Sequence, residues 1–252
     1  MRLEPLASTR QHTQSQPTDQ RAMLISEIYQ SRQGEGLLTG TPSVFVRTSG
    51  CNLRCGFCDT PFASWEPEGR QLSIPEILAE IEACADGAQH VVMTGGEPML
   101  PKAIEELSGI LAERGFHCTI ETAGTIYREL PCDLMSISPK FSNSDPELGR
   151  AGEWRAKHQA ARNRLDVVAK LIDQYPFQLK FVVDTIADLD EIEVYLGRLG
   201  ELDSKRVLLM PQGVTQAELE QRAEWLEPVC EQRAFTFCPR KHIEWYGNRR
   251  GT

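Results

Sequence analysis

What most constrains the fold of this chain is a repeated alternation. A short β-branched or apolar run is followed by a motif rich in Gly, Pro or charge, and then by apolar residues at helical spacing. SVFVRT (43–48), HVVMT (90–94), FHCTIET (116–122), LMSIS (134–138), QLKFVVD (178–184) and RVLLM (206–210) read as strands, and AFTFC (234–238) as a short last one. Between them, Ile74, Ile77, Leu78 and Ile81 form one helix face, and Ile104, Leu107 and Leu111 another. Ser73 and Glu76 have the spacing of a capping box, with Pro75 suited to the first turn. Helices are also expected over 157–174, 188–199 and 217–232.

Alternating strands and helices imply an α/β fold with a parallel sheet and helical crossovers. Six or seven strands are too few for a closed eight-stranded barrel, so an open, partial βα barrel or an open doubly wound sheet is expected, with the helices outside. In both, ligands gather at the carboxyl ends of the strands. The conspicuous motifs sit at those ends: CNLRCGFCDT, GGEP, ETAGT, SPK and MPQG. Residues 1–22 are polar and rich in Gln, Thr and Ser, and read as a flexible tail ahead of a single domain over 23–252.

The net charge is -9, which argues against a nucleic-acid partner, since a protein that neutralises many phosphates carries a basic surplus. No signal peptide is legible and no stretch reaches the roughly 18 apolar residues of a membrane span. The chain therefore reads as cytoplasmic, where thiols stay reduced.

That compartment matters because three of the eight cysteines, Cys51, Cys55 and Cys58, fall within eight positions. A structural zinc site wants four ligands, usually in two pairs, and no paired fourth ligand is near. A disulfide would strand the third thiol. In a 4Fe–4S cluster each iron wants an external ligand, so three thiolates leave one iron open to a small molecule. Gly50 and Gly56 permit the tight loop this requires. From this segment alone the cluster, zinc and unrelated thiols all stay open. GGEP alone reads equally as a strand-to-helix turn. The remaining cysteines, Cys84, Cys118, Cys132, Cys230 and Cys238, lack ligand spacing and read as core thiols.

Taken together, C-x3-C-x2-C with Phe57 before the last cysteine, and GGEP (95–98) at the next strand end, resemble the radical S-adenosylmethionine (SAM) superfamily. SRQGEGLLTGTPSVFVRTSGCNLRCGFCDT, then TGGEP, SPK, LKFVV, MPQG and HIEWYGNRRG, resemble the 7-carboxy-7-deazaguanine synthase family from about Glu27 onward. The resemblance implies a partial barrel of the radical SAM type with about six parallel strands. It implies a lyase in queuosine (7-deazapurine) biosynthesis that turns 6-carboxy-5,6,7,8-tetrahydropterin into 7-carboxy-7-deazaguanine. The implied route is a 5′-deoxyadenosyl radical, ring contraction and loss of ammonia.

The same resemblance implies the site. Cys51, Cys55 and Cys58 would hold the 4Fe–4S cluster. Phe57, Cys58, Asp59, Gly96, Ser138, Pro139, Lys140 and Gln212 would meet SAM. Thr60 would bind Mg2+, which prefers hard oxygen ligands; the plainer alternative is a Thr-Pro turn at Thr60–Pro61. Arg32, Gln33, Gly34, Arg47, Thr94, Glu121 and Thr252 would contact the pterin. Arg47 suits a carboxylate, because a guanidinium binds it as a fork. A reduced flavodoxin or ferredoxin would supply the electron, and a homodimer is expected. Arg32 replaces a leucine common in its turn, and Ala123 replaces a common Asn. A glycyl-radical activase would share the cluster loop and GGEP, but QGEG, Arg47 and Thr60 point away from it.

Overall fold

The computed structural model describes residues 22–252. The expected tail lies outside the described residues except for Ala22, which opens the first strand. The strands are β1 (Ala22–Arg32), β2 (Pro42–Thr48), β3 (Arg70–Ser73), β4 (His90–Gly95), β5 (His117–Thr122), β6 (Leu134–Ile137), β7 (Phe177–Val183), β8 (Val207–Pro211) and β9 (Thr236–Phe237). They form one open sheet in the order β3-β1-β2-β4-β5-β6-β7-β8-β9. From β2 to β9 every pairing is parallel. β1 is antiparallel to both β2 and β3.

The expected strands are therefore present, and β1 and β3 are additions to them. AMLISEIYQSR buries Met23 and Ile25 but carries Glu27, Gln30 and Arg32 on an incomplete alternation. Its pairing with β2 sets Glu27 opposite Arg47 and Tyr29 opposite Phe45. The Tyr29 and Phe45 rings stack at 5.3 Å, a cross-strand pair of the kind that stabilises sheets.

The helices are α1 (Pro61–Ser64), α2 (Ile74–Cys84), α3 (Ala103–Glu113), α4 (Leu148–Ala151), α5 (Trp154–Ala161), α6 (Leu165–Gln174), α7 (Asp188–Leu199), α8 (Gln216–Arg233) and α9 (Lys241–Tyr246). At the start of α2 the Glu76 carboxylate accepts from the Ser73 N–H at 2.8 Å and from its hydroxyl at 2.6 Å. The single helix expected over 157–174 is two helices, broken at 162–164. The reason is burial: α5 buries only His158, whereas α6 buries Val167, Val168 and Leu171. Arg162 at the break is tied to Asp145 at 2.9 Å and to Glu191 at 3.5 Å.

The period of two along each strand divides the sheet into two faces. Val44, Val46, Val91, Met93, Cys118, Ile120, Leu179 and Phe181 join Ile77, Ile104, Leu107, Leu171, Ile192 and Leu226 in one apolar core between sheet and helices. Burying an aliphatic side chain of this size is worth about 1.5–3 kcal/mol. The intervening positions, among them Arg47, Thr94, Glu121, Ser136 and Lys180, line cavities instead. The alternation that builds the core thus delivers a polar inner face. No helix among the described residues is long and apolar enough to cross a membrane.

Candidate active site

The cysteine loop follows β2 directly and is held by backbone contacts. Gly50, at φ +103°, donates its N–H to the Ala63 carbonyl at 2.8 Å. The Gly56 N–H donates to the Ser144 carbonyl at 2.9 Å. The Trp65 indole donates to the Cys55 carbonyl at 3.1 Å. Asn52 and Thr125 share hydrogen bonds at 3.0 and 3.2 Å, tying the loop to the end of β5. All eight cysteines are free thiols. Cys51, Cys55 and Cys58 line one cavity. Burial pushes the Cys51 and Cys55 thiols up to about 12, with Glu97 adding to Cys51 and Lys140 opposing at Cys55. Metal binding here must displace protons, and a positively charged group is what lowers such thiols. Among the described residues no three His, Cys, Asp or Glu side chains converge as around a metal ion.

The other motifs bound the same cavity. Gly95 and Gly96, Thr122 and Ala123, Ser138 and Lys140, and Met210 through Gly213 all line it. Gly96 has a steric reason: a Cβ there would fall well inside contact distance of the Gly50 and Ala63 carbonyls. Glu97 of GGEP does not reach the cavity. It is fully buried and accepts from Thr122 Oγ1 at 2.7 Å, the Ala123 N–H at 2.9 Å and the Met99 N–H at 3.1 Å. Its carboxylate therefore locks GGEP to the end of β5, and Ala123 serves through its backbone. Burial raises the Glu97 pKa despite those donors. Lys140 Nζ donates to the Ser138 carbonyl and hydroxyl at 2.7 and 2.6 Å. Pro139 is buried and lines neither cavity. Phe57 and Gln212 line the cavity.

A second cavity adjoins the first across a shared wall that includes Asp59, Thr60, Gly95 and Glu121. Gln33 and Glu121 meet inside it at 3.0 Å. Arg47 Nε donates to Glu27 Oε1 at 2.7 Å, and a terminal nitrogen donates to the Tyr29 hydroxyl at 3.2 Å. Thr94 neighbours Arg47 in the sheet register. Gly34 backs onto His242, whose Cβ would lie 2.6 Å from any added Cβ. Arg32 is exposed on the rim, its guanidinium 4.3 Å above the Trp245 ring and 3.2 Å from the Tyr246 hydroxyl. A leucine there could not make either contact. Thr252 also lines this cavity, its hydroxyl donating to the Arg249 carbonyl at 2.9 Å. Thr60 is the residue before α1, yet its side chain makes no capping hydrogen bond. Its hydroxyl lies 3.8 Å from Cys58 Sγ and lines both cavities.

Sequence reasoning missed the ionic network in the shared wall. Glu35, the acid of QGEG, pairs with Lys180 and with Arg240, the latter at 3.0 Å. Arg240 also pairs with Asp59 and donates to the Gly213 carbonyl. Burial alone raises the Glu35 pKa, but Lys180 and Arg240 outweigh it and hold the carboxyl well below its usual range. Asp59 is likewise lowered, Arg240 overcoming burial. One network thus joins the QGEG turn, the cysteine loop, β7 and the segment before α9. A signal existed for Lys180: a lysine inside a buried parallel strand demands a partner.

The three thiols thus share one cavity with the glycines of GGEP, the SPK segment and the MPQG segment. The Radical SAM superfamily model matches residues 45–187. A 7-carboxy-7-deazaguanine synthase of Rhodopirellula baltica is 45% identical over 247 residues, covering 96% of this chain and 95% of its own. One from Halobacterium salinarum is 43% identical over 251 residues, covering 95% and 96%. The crystal structure of QueE from Escherichia coli aligns with a TM-score of 0.65 at 24% identity, covering 88% of this chain and 95% of that one, which speaks to the partial-barrel fold. Identity at the level of the first two, over nearly the whole length, makes this chain a member of the 7-carboxy-7-deazaguanine synthase family of radical SAM enzymes.

Proposed function

We propose that this chain converts 6-carboxy-5,6,7,8-tetrahydropterin into 7-carboxy-7-deazaguanine with loss of ammonia, binding the cofactor in the thiol-lined cavity and the pterin in the adjoining one. The observation that carries this reading is the pairing of two cavities through one wall, with the cysteines on one side, Arg47 and Gln33 on the other and Glu121 in the wall between. When bound, the cluster and SAM supply the radical chemistry that no side chain here can perform. Cys51, Cys55 and Cys58 would hold the cluster. Gly96, Ser138, Lys140 and Gln212 would contact SAM.

The protein's own part is positioning. Arg47 is fixed on one side by Glu27 and Tyr29 and keeps its remaining nitrogen for a substrate carboxylate. Gln33 and Glu121 offer a donor and an acceptor to the guanidine-like edge of a pterin. Thr60, free of a capping role, is the oxygen ligand for Mg2+ beside that carboxylate. Arg32, Gly34, Thr94 and Thr252 complete the substrate wall.

A flavodoxin or ferredoxin is the proposed electron donor. Leu148 and Trp154 are exposed beside the cysteine loop, flanked by Arg150 and Lys157, which have no carboxylate partner among the described residues. That combination suits an acidic carrier. The homodimer rests on family resemblance, and the mass from sedimentation equilibrium in analytical ultracentrifugation decides it: a monomer at working concentration rejects it. The substrate assignment is tested by pairing the carboxylated pterin with its analogue lacking the carboxylate. Turnover restricted to the former is expected; equal handling of both would contradict the role of Arg47.

A further inference from the structure

Between β6 and α6 the chain leaves the sheet and returns against the outside of the cysteine loop. Four contacts hold it there. The Ser144 carbonyl accepts the Gly56 N–H at 2.9 Å. Arg150 lies over the Trp65 ring at 4.1 Å, and that indole donates to the Cys55 carbonyl. Arg54 lies over the Trp154 ring at 4.0 Å. At the centre is His158, 0% exposed, whose Nδ1 accepts the Arg54 N–H at 3.1 Å.

The hydrogen-bond directions around His158 follow from its partners. Nδ1 is an acceptor, so the neutral ring carries its hydrogen on Nε2. Nε2 lies 3.0 Å from Ser144 Oγ, which in turn donates to the Phe141 carbonyl at 2.6 Å. One chain of hydrogen bonds therefore runs from the backbone beside Cys55, through the ring, to the Phe141 carbonyl in the segment after β6. A leucine would fill the same space but would leave the buried Arg54 N–H without an acceptor.

We propose that His158 is a positioning residue for the iron–sulfur centre. Through Nδ1 it holds the amide one residue before Cys55 away from the cavity, and so governs the loop's path and which N–H groups can reach the cluster's sulfurs. Hydrogen bonds to those sulfurs are a main control of cluster potential, and partners one layer out tune metal affinity. The inference rests on reading Cys51, Cys55 and Cys58 as cluster ligands.

The test compares anaerobically reconstituted wild type, His158→Leu and His158→Asn. Asn places an acceptor near the Nδ1 position; Leu does not. Two readouts other than activity are used: the midpoint potential with the electron paramagnetic resonance spectrum of the reduced cluster, and the rate of iron release to a chelator. His158→Leu is expected to shift the potential and release iron about tenfold faster, and His158→Asn to restore both. A leucine variant with wild-type potential, spectrum and release rate overturns the inference, as does an asparagine variant no better than leucine. If the leucine variant does not fold, Ser144→Ala replaces it. Loss of the hydroxyl frees the ring to turn, so an altered potential is expected and an unchanged one overturns the proposal. Wild-type protein that takes up no cluster would overturn the underlying reading as well, which separates the two failures.

Discussion

At the scale of the residue, two side chains carry the proposed pterin site. Arg47 uses Glu27 and Tyr29 as a jig. Lysine keeps the charge but loses the fork. Arg47→Lys should lower kcat/KM by about 10- to 100-fold, the cost of a charge-assisted hydrogen bond, with cluster content unchanged. Steady-state kinetics beside an iron and sulfide assay checks this; an unaltered kcat/KM removes Arg47 from the site. Thr60→Ala should abolish stimulation by Mg2+ while the cluster spectrum stays as in wild type. Metal dependence that survives the substitution assigns the ion elsewhere. Cys51, Gly96 and Thr60 sit in short motifs at strand ends, so their meeting at one cavity could be expected from the sequence. The pairing of Lys180 and Arg240 with Glu35 could not be read, because the partners lie more than 140 positions apart, although a lysine in a buried strand did signal that Lys180 needed one.

At the scale of the element, the strands were legible wherever alternation or a buried apolar run was clean. β1 and β3 escaped because they are antiparallel additions at one edge, and β1 mixes Glu27 and Arg32 into its apolar pattern. The break between α5 and α6 escaped because α5 buries a histidine rather than an apolar stripe. That histidine gives a pH prediction. Burial pushes His158 down to about 4, with Asp145 opposing and Arg162, Lys140 and Arg155 adding to the lowering. The unfolded imidazole titrates near 6.5. Between about 6.5 and 4 the unfolded state binds the extra proton, so stability falls as pH falls through that window. Thermal melts of the cluster-free protein should therefore show wild type losing more stability between pH 7 and 4.5 than His158→Leu. Equal losses would contradict this. Gly96→Ala belongs to the same scale. Its Cβ would meet the backbone carbonyls of Gly50 and Ala63, so no side-chain movement relieves it. It should destabilise the fold by more than the roughly 0.5 kcal/mol typical of surface changes. A melting temperature equal to wild type would show that the loop yields.

At the scale of the molecule, the open sheet places every conspicuous motif at one end, and two cavities share one ionic wall. The net charge of -9 sits poorly with docking an acidic carrier except at the basic, partly apolar surface beside the cysteine loop. Reduction of the cluster by flavodoxin should slow as ionic strength rises and slow further in Lys157→Glu. A salt-independent rate with an unaffected variant would place docking elsewhere. On the proposed reading, this chain couples SAM-dependent radical chemistry to ring contraction of a carboxylated pterin. The most direct measurement is anaerobic turnover of reconstituted protein with SAM, a strong reductant and 6-carboxy-5,6,7,8-tetrahydropterin, read by product mass and released ammonia. The expected products are 7-carboxy-7-deazaguanine and ammonia in equal amounts, with SAM not consumed in proportion. SAM cleavage with the pterin untouched, or a colourless protein holding one zinc ion, would contradict it.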